Sequence, residues 1–393
     1  MQPLFLPQTK RNKIIDDIKS TGLITDLIRI ILEYSFYKEV IYTTWGAFAA
    51  ILYDGRIVTW GYDDHGGNCS SVQNELMTGV ETIYATSCAF YAKLFDGRLI
   101  GWGDPNYSIM QPDLKININK IYSNDRSFVV KTSDNKIISW GSGPYGGDIT
   151  HIQDYLKDCV DIYATYAAFC AKLSNGQIIT WGIPKYCDIS GVMNELKIGV
   201  ETVYVTYNAF CAKLLNRQLV TWGDTYSGGN SDSVKADLNI GVSTVYSTKY
   251  AFCAILINGN VISRGDKNFG GDSRGVQDEL KTGILTIYST SGAFCAILLS
   301  GKIITWGAEY YGGDNSGIQA DLGEGVETIY TTNYAFCAKL ITGRCISWGH
   351  YRYGGDCSRV QRELDNGVDN IYSTNKTFCA TLKNGSIVMW GDV

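Results

Sequence analysis

Val326-Glu-Thr-Ile-Tyr-Thr-Thr-Asn-Tyr-Ala-Phe-Cys-Ala-Lys-Leu-Ile-Thr-Gly-Arg-Cys-Ile-Ser-Trp-Gly349 decides the fold. Its first segment, Val326 to Thr332, is β-branched and aromatic with apolar residues at period two, the signature of a half-buried strand. Ala335 to Leu340 reads as a second strand with Phe336, Ala338 and Leu340 on one face, and Arg344 to Trp348 as a third.

The same text recurs along the chain. Trp-Gly closes each copy at Trp60, Trp102, Trp140, Trp181, Trp222, Trp306, Trp348 and Trp390, with Arg264-Gly265 filling the one gap. The spacings are 42, 38, 41, 41, 42, 42, 42 and 42 residues, so the chain carries nine copies of one unit. Between strands two and three sit Asp54-Gly55, Asp96-Gly97, Asn175-Gly176, Asn258-Gly259 and Asn384-Gly385, pairs that predict two-residue hairpin turns. After strand three comes a connector such as Tyr353-Gly-Gly-Asp-Cys-Ser-Arg-Val-Gln-Arg-Glu-Leu364. Its two glycines allow a sharp turn. The next residue (Asp148, Asp272, Asp314, Asp356, Asn68 or Asn230) suits the N-cap of a short helix, which Val360 and Leu364 would seat on the sheet.

A three-stranded unit cannot bury both faces alone, so neighbouring copies must stack. Phe recurs in strand two from Phe48 to Phe378 and Tyr in strand one from Tyr42 to Tyr372, giving rows of rings through a continuous core. Cys170, Cys211, Cys253, Cys295, Cys337 and Cys379 occupy one repeat position, where the first three copies have Ala49, Tyr91 and Val129. A position that accepts Cys, Ala, Val or Tyr is a packing position, and the expectation is reduced, buried thiols. No Cys-x-x-Cys occurs, and His65, His151 and His350 lie in unmatched contexts, so no metal or other cofactor is expected. The fold class is all-β: a tandem-repeat β-propeller of nine three-stranded blades with short connector helices, or an open superhelical array of the same units. The ends leave both open, because the copies are whole and no strand is left over to complete a blade.

The run Ala168-Phe-Cys-Ala-Lys-Leu-Ser-Asn-Gly-Gln-Ile-Ile-Thr-Trp-Gly182 resembles the signature of the regulator of chromosome condensation repeats, over residues 40–393. That resemblance implies a propeller, usually of seven blades in the family, and raises nucleotide exchange on a small GTPase and chromatin binding as activities. The family performs exchange with a wedge-like insertion. Here no spacing exceeds 42 residues, and the formal net charge is −5 with no basic run, which argues against exchange and against a nucleic-acid partner.

Residues 1–39 differ in kind. Leu23, Leu27, Ile30, Ile31 and Tyr34 fall at helical spacing after Thr25 or Asp26. The run Leu23 to Tyr34 looks like the opening helix of an F-box, though without the family's usual proline, and that likeness implies a protein partner on Leu27, Ile31 and Tyr34. The plainer reading is an amphipathic cap on the repeat array.

Apolar residues make up 45% of the chain and charged ones 19%, which supports a large core and excludes long disordered tails. No stretch is apolar enough for a membrane helix, and no signal-peptide pattern opens the chain, so a cytoplasmic or nuclear setting is expected. No copy shows a catalytic constellation that sets it apart from its siblings, so no enzyme is expected. The expected role is a non-catalytic protein-protein interaction scaffold, with a ubiquitin-ligase substrate receptor as its sharper form. The alternative is a self-assembling component of a particle or fibre. The chain is also similar to repeat proteins of large DNA viruses of protists, which would make the particle a virion. The irregular places, Ser108 to Pro112, Ile183-Pro184 and Arg264, are where a partner surface would break the symmetry.

Overall fold

The computed structural model describes residues 41–44, 46–51, 56–77, 79–105, 118–281 and 283–392. The fold is all-β. Its strands form nine three-stranded antiparallel sheets, each from three consecutive strands, so the repeat is a propeller-type blade. The blades fall into two compact units dividing at Cys187/Asp188, with blades 1 to 4 in the first and blades 5 to 9 in the second.

Blade 8 shows the construction, with strands Val326–Thr331, Ala335–Leu340 and Cys345–Gly349. Strand one is not the regular alternation its sequence suggests. Val326 pairs with Leu340 and Thr328 with Lys339, so Glu327 is the extra residue of a bulge. The bulge puts Ile329 in the core three residues after Val326 and leaves Glu327 outside, ion-paired with Lys339.

The hairpin turn also differs from expectation. In blade 9, Gly385 donates to the Leu382 carbonyl at 2.8 Å, and Leu382 donates to the Ser386 carbonyl at 2.9 Å. The loop is therefore a type I turn closed by a glycine bulge, not a two-residue turn. Only the glycine takes positive φ (+85° at Gly385), while Asn384 accepts from the Ser386 N–H at 2.9 Å. Where glycine is missing, Asn135 and Arg217 take its left-handed conformation, with φ of 64° and 68°.

Blade packs on blade through two unlike faces. Phe336, Ala338 and Leu340 lie against Ala293, Cys295, Ile297 and Ile303 of the preceding blade, while Cys337 and Cys345 meet Phe378, Ala380 and Trp390 of the next. Phe336 is paired across the strands with Trp348, the rings stacked at 5.3 Å. The indole Nε1 of Trp348 donates back to the Gly312 carbonyl at 3.1 Å, and Trp102, Trp181, Trp306 and Trp390 make the equivalent bond to Gly66, Gly146, Gly270 and Gly354. The glycine pair, in the connectors that have one before an indole, is thus part of the next blade's core. Trp222 follows the connector that lacks this pair: Pro184–Cys187 is a helical turn there, and among the described residues the buried Trp222 Nε1 has no acceptor. A buried donor without a partner costs ~1–3 kcal/mol. Replacing each indole by phenylalanine removes a satisfied donor in one blade and an orphan in the other. Trp348→Phe is therefore expected to destabilise by about 1–2 kcal/mol more than Trp222→Phe in urea unfolding.

The connector begins with a 3₁₀ turn and not with the expected capped α-helix. Asp314 Oδ1 accepts from the Ser316 N–H at 2.8 Å and opens the 3₁₀ turn Ser316–Ile318, which runs into the single α turn Gln319–Leu322. Leu322 is buried in the core, as Leu364 is in the last connector, and Ile318 packs beside it. Gln319 Nε2 donates to the Ile303 carbonyl of strand three at 3.0 Å, and Gln153, Gln277 and Gln361 do likewise at Ile137, Val261 and Cys345. These bonds occupy a strand edge that would otherwise be open to pairing.

Successive blades also share one backbone hydrogen bond at the turn between strands one and two. In the second unit Tyr207 donates to Lys249, Lys249 to Ser291, Ser291 to Asn333 and Asn333 to Asn375, each at 2.8–2.9 Å. In the first, Ser87 donates to Asp125 and Asp125 to Tyr166 at 3.2 Å.

Candidate interaction surface

The turn that carries this ladder reads Thr-x-x-Ala, and its threonine is the fastener. Thr332 is buried; its Oγ1 accepts from the Ala335 N–H at 2.9 Å and donates to the Tyr353 carbonyl at 3.0 Å. Thr206, Thr248 and Thr290 reach Ser227, Phe269 and Tyr311 in the same way. Each bond draws the start of the connector onto the turn, and rings on the two segments then meet.

In the second unit they meet in a chain. Tyr207 contacts Tyr250 at 5.5 Å, Tyr250 contacts Phe269 at 4.7 Å, and Phe269 contacts Tyr311 at 5.5 Å. The chain continues from Tyr311 to Tyr334 at 5.2 Å, from Tyr334 to Tyr353 at 4.7 Å, and from Tyr353 to His350 at 4.4 Å. All seven rings are half-buried, and exposed Tyr310 and Tyr351 extend the stripe from His350. Ring centroids within 4.5–7 Å are attractive, so the stripe is held in place before any ligand arrives. Burial raises the Tyr311 hydroxyl above its ordinary pKa.

Two ammonium groups stand over the stripe. Lys249 Nζ is 4.4 Å from the Tyr207 centroid and 5.4 Å from Tyr250, and Lys376 Nζ is 5.0 Å from Tyr353. Beside it runs a groove of about 510 Å³ lined by Thr248, Lys249 and the Ser-Thr-Ser, Thr-Thr-Asn and Ser-Thr-Asn turns beginning at Ser289, Thr331 and Ser373. Its lining offers hydroxyls, amides and one cation, and no carboxylate. In the first unit the corresponding positions give a pair, Tyr145 and Tyr166 at 6.0 Å, with Arg126 over Tyr145 and Asp125 at the ladder.

The aromatic rows expected from the sequence are core positions in the strands, and this stripe is not among them. The available signal was Tyr or Phe at a turn position and again at the connector position about one half-repeat later. Of the residues singled out from the sequence, Leu27, Ile31, Tyr34 and the run Ser108 to Pro112 lie outside the described residues. Arg264 donates from its Nε to the Asn230 carbonyl at 3.2 Å, opposite Phe252, where other blades stack an indole. The cysteine column is free of disulfides and buried, except at its last member, half-buried Cys379. Burial raises these thiols well above their ordinary value of 9.0, to about 12 for Cys253, so they are neutral and unreactive at neutral pH. Among the described residues no group of three or more His, Cys, Asp or Glu is placed to hold a metal ion, and no helix is long and apolar enough to cross a membrane.

The thiol shifts carry a pH prediction. A group whose pKa is raised on folding adds stability below its unfolded value and loses it as pH climbs toward the folded one. Between neutral pH and 9.0 the urea midpoint is therefore expected to be flat, and to fall steadily from there toward about 12, with Cys253→Ala flattening the fall. A midpoint constant through that window would contradict it.

No family model matches the chain, and no curated protein matches it. Among solved structures, the ectodomain of the Physcomitrella patens receptor kinase CR4 is 15% identical, over 70% of this chain and 74% of that one, with a TM-score of 0.38. Prp20p of Saccharomyces cerevisiae is 13% identical over 79% and 72%, with a TM-score of 0.35. The C-terminal domain of gp131 from bacteriophage phiKZ is 10% identical over 73% and 95%, with a TM-score of 0.34. At these distances none of the three identifies a partner or an activity for this chain.

Proposed function

We propose that the chain is a non-catalytic protein-interaction scaffold whose recognition surface is the aromatic stripe and hydroxyl-lined groove of the second unit. The observation that carries this reading is the run of seven touching rings under Lys249 and Lys376, set beside a groove without carboxylates. Rings of this kind supply a large contact area at low entropic cost, and the ammonium groups favour a partner segment that is extended and carries Asp or Glu. The groove's hydroxyls and amides suit the backbone of such a segment.

The test is selection from a displayed library of disordered peptides with the full chain, followed by titration of the selected peptides. Tyr250→Ala with Tyr334→Ala is expected to weaken binding by about 2 kcal/mol or more, some thirtyfold. Lys249→Glu is expected to weaken acidic peptides selectively and to reduce their salt dependence. Selected peptides that bind both variants as tightly as the parent would reject the reading. The ubiquitin-ligase receptor and the self-assembling particle component place the decisive surface elsewhere, on Leu27, Ile31 and Tyr34 or on the ends of the array.

A further inference from the structure

Blade 6, with strands Val242–Ser247, Ala251–Leu256 and Val261–Gly265, carries cations at three repeat positions where its siblings have none. Arg264 stands where every other copy has Trp. Lys267 stands where the other glycine-pair connectors have Asp, Gly, Thr, Glu or Tyr, and Arg274 where they have Ser, Thr or Asp. All three line one groove of about 630 Å³, which lies over the third strand between the connectors before and after this blade. The corresponding groove over blade 5 is about 260 Å³, and its lining sets one cation, Lys235, against Glu195 and Asp232. Both grooves lie within the second unit.

The three cations differ in what they already hold. Arg274 is paired with Asp272, its Nε donating to Oδ1 at 2.9 Å and its Nη2 to Oδ2 at 2.5 Å. Half-buried Arg264 uses only its Nε, on the Asn230 carbonyl, and among the described residues neither Arg264 nor Lys267 has a carboxylate partner. Asp237, exposed to water, is the other carboxylate of the lining. A half-desolvated guanidinium is best satisfied by an oxyanion that its planar fork grips at two points. With Lys267 beside it the unpaired charge is that of a dianion, which a phosphate monoester approaches at neutral pH and a carboxylate does not. Val234, Ile240, Leu256 and Ile262 make the remaining wall apolar, so the groove suits an organic body as well as its charge.

We propose that this groove is a binding site for a phosphate monoester, its phosphate held by the Nη groups of Arg264 and by Lys267, and its organic body resting on Ile240 and Ile262. A small organophosphate and a phosphorylated side chain of a partner present the same group to it. The site is separate from the aromatic stripe, none of whose rings lines the groove.

Calorimetric titration of the full chain with phenyl phosphate tests it, with benzoate and inorganic phosphate as comparison ligands. Phenyl phosphate should bind roughly tenfold tighter than either. Its affinity should rise severalfold as pH climbs through about 6, where the phosphate becomes a dianion. Arg264→Trp restores the residue of the other copies, so the chain should fold, and it should weaken phenyl phosphate by roughly tenfold or more. Lys267→Gln, on an exposed turn, should weaken it about fivefold. Tyr334→Ala, in the stripe, should leave it unchanged, so a failure of the recognition surface and a failure of this site are read separately. Three results would overturn the assignment: no binding of phenyl phosphate to the parent at about 10 mM, benzoate or inorganic phosphate binding as tightly, or Arg264→Trp binding as the parent does. Should Arg264→Trp fail to fold, Lys267→Gln decides, and undiminished binding there rejects the site. A phosphotyrosine peptide distinguishes the two sources: binding tighter than phenyl phosphate places the ester on a partner chain, and equal or weaker binding makes it a free small ligand.

Discussion

Gly313→Ala is expected to destabilise the second unit by about 4 kcal/mol or more, the range in which backbone displacement and overpacking act together. A Cβ on Gly313 would lie 2.3 Å from the Gly307 carbonyl oxygen and 2.5 Å from its carbon. Both are backbone atoms of the preceding Trp-Gly, fixed by the strand pairing of Ala293 with Gly307, so neither can swing aside. Relief would require moving the connector, and with it Gly312, whose carbonyl receives the Trp348 indole. Gly317, four residues on in the same connector, has nothing within 4 Å of its would-be Cβ. Gly317→Ala should stay within about 0.5 kcal/mol of the parent. Urea unfolding of the two variants makes the comparison, and equal midpoints would show that the Gly-Gly pair is not the close approach described.

The second large effect is Phe336→Ala, expected to cost ~3–5 kcal/mol by removing a fully buried ring from between two blades. The residue fills the space between the Ala293–Cys295 region and its own Trp348, and truncation leaves the indole unsupported on one face. Phe48→Ala provides the internal control, since its ring is partly exposed: less than half the cost is expected. A Phe336→Ala variant as stable as Phe48→Ala would mean that the interior interfaces do not carry the stability of the array. Because each blade contacts only its neighbours, the loss should appear first as early unfolding around blades 7 to 9 in hydrogen exchange.

The repeat, the three strands and the packing role of the cysteine column were legible because they rest on local pattern and strict period. What escaped the sequence depends on register or on two distant segments meeting. Asn384-Gly385 fits more than one turn type, and the pairing of Leu382 with Ser386 selects among them. The bulge at Glu327 is invisible to a period-two reading, because the pattern Val-Glu-Thr-Ile satisfies alternation until the partner strand fixes which residue is left out. The aromatic stripe needed knowledge that Thr332 would bind the Tyr353 carbonyl, 21 residues away, and so bring Tyr334 against Tyr353. Irregularity in single copies, where the sequence reading looked for a surface, led to an orphaned indole at Trp222 and a truncated stack at Arg264.

The ladder of single backbone bonds, one between each pair of neighbouring blades in the second unit, has a bearing on how such a chain can change over generations. Each rung joins equivalent residues of adjacent copies, and each indole clasp spans one connector, so neither refers to the total number of copies. An in-frame duplication or loss of one 42-residue copy would add or remove one rung, one clasp and one stretch of groove while leaving its neighbours' bonding intact. The length of the hydroxyl-lined groove would then vary in whole-repeat steps, a heritable variation in reach that requires no redesign of the blade.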